Sequence, residues 1–260
     1  MAQVAHVSAR DICKTYGAVQ VLHNVDFDIA RGEIVALIGP NGAGKSTLFG
    51  VLGGALDPEH GSVLLNGEAV LRRGPEAVAR AGIGRTFQTS APYRSLTVLE
   101  NLLVVESGAR SWRHRLFQSL RAEGISHARS VLQEVGLEDM DAMPCATLSY
   151  GDAKRLELAL ALIRDPQVLL MDEPTAGMAP SERTGFMELV QVRSKARGMT
   201  VLFTEHDMAT VFGFASRILV LDRGRIIADD VPQVIRDSQA VQEIYLGYGT
   251  LTQKHATETL

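Results

Sequence analysis

Short, strongly apolar runs recur along this chain, and each ends in residues of a different kind. Ile34-Val35-Ala36-Leu37-Ile38, Val168-Leu169-Leu170-Met171 and Met199-Thr200-Val201-Leu202-Phe203-Thr204 are too short for helices and rich in branched aliphatic side chains, which predicts buried strands. Residues 4–12 and 19–30 instead alternate, the second as Val19, Val21 and then Val25, Phe27, Ile29 against polar neighbours. They predict antiparallel strands flanking the first buried one. Between them Lys14-Thr15-Tyr16-Gly17 reads as a turn, and Asp57-Pro58-Glu59-His60-Gly61 as a loop before a strand over 62–67. Residues 82–87 return to extended structure that ends at Gln88, while 217–221 and 225–228 flank Asp222-Arg223-Gly224 as a hairpin.

Helical spacing takes over elsewhere. Leu48-Phe49-Gly50-Val51-Leu52 follows the first buried strand, and Pro75 opens a helix to Ala81, proline being tolerated in a first turn. Residues 96–105 and 128–135 carry apolar side chains at helical intervals on either side of a stretch rich in Arg and Ser, 107–124. Leu156, Leu160 and Ile163 make one stripe of a helix over 153–164, which Asp165-Pro166 ends. Pro180 starts another, with Phe186, Leu189 and Val190 inward and Gly198 closing it. Helical turns over 231–246 precede a polar tail, 250–260.

The chemistry sits where the buried strands end. Gly39-Pro40-Asn41-Gly42-Ala43-Gly44-Lys45-Ser46-Thr47 stands between strand and helix with the spacing of a phosphate-binding loop. Its glycines let backbone N–H groups turn inward around phosphates, assisted by the positive end of the following helix. Lys45 is then expected to reach the β- and γ-phosphates, and the Ser46 hydroxyl to ligate Mg²⁺. The second buried strand ends in Asp172-Glu173, which matches the other half of a nucleotide site: Asp172 supports the Mg²⁺ and Glu173 acts on the attacking water. The third delivers Glu205-His206-Asp207, at the strand end where ligands bind in open α/β sheets, which makes His206 a γ-phosphate contact or water-orienting group. Ser149 with Asp152 three residues on has the form of a capping box, and the same helix start offers a hydroxyl, Gly151 and free amides to an anion. Tyr16 stands where a ring either stacks on a purine or covers a strand edge, and the residues alone leave both open.

Composition narrows the partners. The 260 residues are 46% hydrophobic and 22% charged, as expected of a soluble globular chain long enough to bury a real core. A net charge of −4 with no lysine or arginine block argues against nucleic acid. The run Arg110-Ser111-Trp112-Arg113-His114-Arg115 reads as a solvated basic face or a contact for an acidic partner or lipid headgroups. Cys13 and Cys145 form no Cys-x-x-Cys pair and suggest neither disulfide framework nor zinc, which fits a reducing cytoplasm. Met1 to His6 lack a charged-then-apolar leader pattern, and no apolar run approaches the roughly 18–20 residues that span a bilayer.

With Tyr16, the phosphate loop, Gln88, the stretch Leu148-Ser149-Tyr150-Gly151-Asp152, Asp172-Glu173 and His206 in this order, nearly the whole chain resembles the nucleotide-binding subunit of ABC transporters. The resemblance implies an α/β fold: a P-loop NTPase core of ABC type with an N-terminal antiparallel β subdomain and a helical insertion. It divides the chain into a core over 1–88 and 148–249, a helical subdomain over 89–147 whose signature helix continues to about 165, and the tail. The family's signature is Leu-Ser-Gly-Gly-Gln; this chain departs from it at Tyr150 and Asp152 and keeps Ser149 and Gly151. The resemblance further implies a head-to-tail dimer in which each ATP lies between one subunit's phosphate loop and the other's Ser149 and Gly151, with Tyr16 against the base. Gln88 joins Glu173 and His206 as a catalytic group, and joins Ser46 and Asp172 around the Mg²⁺. The insertion would couple the cycle to two membrane permease subunits, with a solute-binding protein in the same system and the chain peripheral on the cytoplasmic face. Gly84-Arg85-Thr86-Phe87-Gln88, Glu100-Asn101-Leu102-Leu103-Val104, Glu173-Pro174-Thr175-Ala176-Gly177-Met178, Glu205-His206-Asp207-Met208 and Tyr245-Leu246-Gly247 look in particular like the larger ATPase subunit of branched-chain amino acid importers. That subgroup includes importers of urea and short amides. An ATPase of a lipid or lipopolysaccharide exporter shares most of these motifs, and a soluble non-transport ABC ATPase shares the core ones.

Overall fold

A computed structural model describes residues 5–72, 74–86, 92–108 and 122–246. Phe87, Gln88, the 110–115 run with Trp112, Gly247 and the 250–260 tail therefore lie outside the described residues.

The described strands form two sheets. β1 (Ala5–Tyr16), β2 (Val19–Ala30), β4 (His60–Leu65) and β5 (Glu68–Ala69) pair antiparallel in the order β2-β1-β4-β5. β3 (Ile34–Ile38), β6 (Ile83–Thr86), β7 (Val168–Asp172), β8 (Thr200–Thr204), β9 (Arg217–Asp222) and β10 (Arg225–Asp230) form a second sheet ordered β10-β9-β3-β8-β7-β6, parallel except for the β9–β10 hairpin. The alternating strands thus do not flank β3 as the pattern predicts; they pair with each other in a separate layer. The reason lies in their faces. Every residue of β3, β7 and β8 is buried, so these strands need cover on both sides and take parallel neighbours, whereas β1 and β2 keep a polar face for solvent.

Two further expectations shift at this end of the chain. Lys14-Thr15-Tyr16 is the last part of β1, and the turn is only Gly17-Ala18. Val19 is exposed while Leu22, Val25, Phe27 and Ile29 are buried, because the alternation changes phase between Leu22 and Val25. Asn24, at φ +50°, is the extra residue of a bulge there, and Asp11, at φ +51°, marks the compensating one in β1.

The mixed sheet is the middle of three layers. Ile34, Ala36 and Ile38 face a helical layer, while Val35 and Leu37 face the other way, the period-two alternation of a strand. On that second face lie α1 (Lys45–Leu52), whose Leu48, Phe49, Val51 and Leu52 are buried, and the antiparallel sheet. On the first face pack α3 (Val98–Gly108), α4 (Ala122–Val135), α5 (Tyr150–Leu162) and α6 (Pro180–Arg197), the last closed by Gly198 at φ +60°. α2 (Pro75–Ala81) leads into β6; α7 (Met208–Phe214), α8 (Pro232–Asp237) and α9 (Gln239–Leu246) complete the described α-helices. Each fully buried Leu or Phe contributes about 1.5–3 kcal/mol of transfer energy, so both faces of the sheet are strongly held. Among the described residues no helix is long and apolar enough to cross a membrane.

Candidate active site

The parallel sheet brings three sequence-distant strand ends to one edge. β3 ends at the glycine loop, β7 at Asp172 and β8 at Thr204, with β3 beside β8 and β8 beside β7. This is the carboxyl edge where open α/β sheets bind ligands.

The loop is wedged between the two sheets. A Cβ on Gly39 would sit 2.0 Å from the Leu221 carbonyl oxygen at the end of β9, so no larger residue fits. Gly44, at φ +107°, abuts Val21 and Leu22 of β2. The amide of Gly224, in the β9–β10 turn, donates to the Ala43 carbonyl at 2.9 Å, and that turn's Gly224 carbonyl accepts from His23 of β2 at 2.8 Å. Gly44 caps α1 without any side-chain hydrogen bond. The first-turn amides of Lys45, Ser46 and Thr47 have no helical acceptor by geometry, so they face outward at the positive end of the helix.

Lys45 is itself buried, at 9% exposure, with Nζ donating to the carbonyls of Gly39 at 2.7 Å and Pro40 at 3.1 Å. Burial lowers its pKa, and the nearby Glu173 and Asp172 carboxylates pull the other way. A cation folded onto neutral carbonyls beside free amides is a strong anion receptor, and the cradle fits a chain of phosphates.

Across the cleft, Asp172 is buried and its Oδ1 accepts from the Thr204 hydroxyl at 2.7 Å, while Oδ2 lies 3.7 Å from Arg85 Nη2. The same Thr204 Oγ1 accepts from the Glu173 amide at 3.0 Å. Glu173 stands in the left-handed region at φ +49°, an arrangement costing on the order of 1–3 kcal/mol in a non-glycine residue and kept only where the surrounding structure over-determines the backbone. Its Oε1 lies 2.9 Å from His206 Nε2. His206 is more than half exposed and Glu173 less than a third, so the pair borders the cleft with the carboxylate on the inner side. A hydroxyl, a buried carboxylate and a second carboxylate held by imidazole form an oxygen-rich set suited to a hard cation such as Mg²⁺, which keeps several waters. Of the residues expected to ligate Mg²⁺, Asp172 belongs to this cluster and Ser46 stands exposed in the first turn of α1.

Thr204 and Gly224 are not visible as site residues in the sequence. Both act through neighbours that only strand order creates, and the one linear signal is the position of Thr204 immediately before Glu205-His206. Glu205 is buried and turned away, its Oε1 accepting from both the amide and the hydroxyl of Thr175 at 2.8 and 2.7 Å.

The remaining candidates lie apart. Tyr16 ends β1 with its ring half exposed and Lys14 Nζ 5.6 Å from the centroid. Ser149 caps α5, accepting from the Asp152 amide at 3.1 Å and donating to Asp152 Oδ2 at 2.6 Å, with Gly151 in the first turn. The Ser149 hydroxyl and Asp152 carboxylate reproduce the predicted capping box in altered form, since the carboxylate accepts its hydrogen bond from the Ser149 hydroxyl.

Comparison with known proteins agrees with this architecture. The model of the family described as ABC transporter matches residues 22–176. The chain is 34% identical over 250 residues to the high-affinity branched-chain amino acid transport ATP-binding protein LivG of Escherichia coli strain K12, covering 93% of this chain and 97% of that one. It superposes on the crystal structure of MJ1267, an ATP-binding cassette of an ABC transporter in its ADP conformation, with a TM-score of 0.84 and 31% identity, covering 94% and 99% of the two chains. A dimeric, post-hydrolysis structure of the ATP-binding cassette MJ0796 bound to ADP and phosphate matches with a TM-score of 0.73 and 26% identity, over 87% and 98%. Fold, site and sequence therefore coincide: this chain belongs to the ABC transporter family of ATP-binding proteins.

Proposed function

We propose that this chain is the ATP-hydrolysing subunit of an importer for branched-chain or other hydrophobic amino acids, or related small solutes such as urea and amides. It would work through separate membrane subunits. The observation that carries the chemistry is the convergence of the Lys45 loop, buried Asp172 and the Glu173–His206 pair at one sheet edge. The solute class rests on the LivG likeness.

In this reading the loop amides and Lys45 bind the β- and γ-phosphates, and Tyr16 stacks on the base. Ser46, Asp172 and Gln88 would hold Mg²⁺, which when bound would supply charge neutralisation at the phosphate oxygens. Glu173 orients the attacking water and accepts its proton as the water oxygen bonds to the γ-phosphorus and the bond to ADP breaks. His206 keeps Glu173 in place through Oε1 and faces the γ-phosphate. Thr204 fixes both carboxylate-bearing residues by one hydroxyl. Ser149 and Gly151 complete the site of a second ATPase subunit, identical or related, for which the dimeric MJ0796 structure offers the precedent.

We also infer that the helices of 89–147 form the coupling face, peripheral to the membrane's cytoplasmic side. A cavity of about 310 Å³ opens beside Val105 of this segment and is otherwise lined by residues outside it, among them Ala55, Glu76, Arg85, Leu160 and Arg164. Burial lowers the Arg164 pKa, and its Nη2 donates to the Val105 carbonyl at 3.2 Å. The wall is mostly apolar with two arginines, which suits an amphipathic segment of a membrane subunit. Purification from membranes in mild detergent tests the reading. Two hydrophobic permease chains should accompany the protein, and the reconstituted complex should take up labelled leucine or an amide when ATP is supplied. Recovery with ribosomes, or alone, would sink it; transport of lipid outward would replace it with an exporter.

A further inference from the structure

Tyr150, where this chain departs from the family signature, is bonded to the segment that follows Glu173. Its phenolic hydroxyl donates to the Ala176 carbonyl at 2.6 Å. Ala176 in turn donates its amide to the Glu173 carbonyl at 3.2 Å, so two hydrogen bonds lead from the first residue of α5 to the backbone of Glu173. The segment is otherwise anchored away from α5: Glu205 grips Thr175, and Arg183 Nε donates to the Met178 carbonyl at 2.9 Å. The ring is seated as well as bonded. Gly177 is at φ +81°, and a Cβ there would lie 2.9 Å from the Tyr150 oxygen and 3.2 Å from Cζ, so the hydroxyl end of the ring sits close against a position that favours glycine. Lys154 Nζ approaches the same ring at 5.8 Å.

Ser149 and Gly151 flank Tyr150, so one turn of helix carries both the anion-facing groups and the contact to the Glu173 segment. We propose that Tyr150 is a positioning residue that ties engagement of α5 with the opposing subunit's nucleotide to the placement of Glu173 in its own site. The two hydrolytic sites of a pair are thereby made to act together. The proposal rests on the paired-site reading above. A tyrosine does this where the family's glycine cannot, because only a long side chain with a donor at its tip spans from the helix start to Ala176. The Glu173 backbone, already in a left-handed conformation, is the place where a small shift changes the carboxylate's aim.

The test is Tyr150→Phe in the full-length chain, which removes the hydroxyl and keeps the ring against Gly177. Expected are an unchanged KM for ATP, a kcat lower by about three- to tenfold, the scale of one lost hydrogen bond, and a Hill coefficient for hydrolysis that falls toward one. A merely structural tyrosine would lower thermal stability and leave the Hill coefficient alone. The second measurement is ATP-dependent dimerisation by size-exclusion chromatography in the Glu173→Gln background. If Glu173→Gln forms no dimer with ATP, the paired-site reading falls and this inference with it. If it dimerises but Tyr150→Phe matches the parent in kcat and Hill coefficient, the tie alone is overturned. If Tyr150→Phe/Glu173→Gln fails to dimerise, Tyr150 acts in the interface itself, which also overturns it.

Discussion

Two helices of this chain start at small residues, and they treat their first-turn amides in opposite ways. α1 begins at Gly44, which supplies no side-chain acceptor, so its first-turn amides stay available and Lys45 adds a buried positive charge beside them. α5 begins at Ser149, whose hydroxyl already accepts from the Asp152 amide and donates to the Asp152 carboxylate. The first start is prepared for phosphate. The second is closed on itself and carries a negative charge in its first turn, so an anion must displace an internal cap and approach a carboxylate. Two helix starts therefore do not mean equal affinity: nucleotide should load on the α1 side first and recruit the α5 side of a partner afterwards.

The sharpest way to separate the two steps is to stop the reaction after both have occurred. Glu173→Gln keeps the shape of the side chain and its reach to His206 but removes the proton acceptor. Hydrolysis should fall by about 10²–10⁴ while ATP affinity changes little and an ATP-dependent dimer accumulates. Undiminished turnover would remove Glu173 from the chemistry.

Breaking the comparison at its strong side comes next. Lys45→Ala deletes the cation but leaves the loop amides, and ATP affinity measured by calorimetry should drop by about 100-fold, the scale of a charge-assisted contact or two. Normal binding would mean that the loop is not the phosphate receptor. The weak side is sharpened by Asp152→Gln, which retains the Ser149 cap on the residue-152 amide but abolishes the charge. Dimerisation with ATP, in the Glu173→Gln background, should tighten by about three- to tenfold, against a Tm lower by about 1–3 °C from the lost helix-end charge. Weaker dimerisation would show that the carboxylate assists the partner's nucleotide.

The asymmetry between the two starts also explains what could be seen in the sequence. The glycine loop, Asp172-Glu173 and the Ser149 cap are local: spacing along the chain and the rules of helix ends are enough to find them. The partners that make them work are set by strand order. Thr204 meets Asp172 because β8 lies beside β7, and Gly224 holds the loop because β9 lies beside β3. No linear pattern carries that. Val19 and Val21 were legible as strand residues, but not their face, since the bulge at Asn24 shifts the phase. Tyr150 looks in sequence like a departure from a motif; its contact with Ala176 appears only once α5 is packed against the β7–α6 connection.

The smallest expected effect is one that leaves both helix starts untouched, and it checks that the others are not general losses of stability. His6, on β1 at the far end of the sheet from the site, is buried with Nδ1 2.7 Å from Thr200 Oγ1, at the start of β8. Burial lowers its pKa; the Gln167 side chain partly opposes this and Arg31 adds to it. The unfolded chain therefore takes up a proton as pH falls below about 6.5, and folded His6 does so only at lower pH. Stability contributed by the neutral ring is complete above that pH and declines as pH falls toward the depressed folded value. His6→Gln removes the titration without a change in either nucleotide half. The Tm gap between parent and variant should move in the variant's favour as pH falls from 6.5 to 5, with ATP affinity the same in both. The slope is the readout, because the substitution also changes the packing at every pH by a constant amount. A gap that stays flat across this range would show that His6 titrates alike in the folded and unfolded chain.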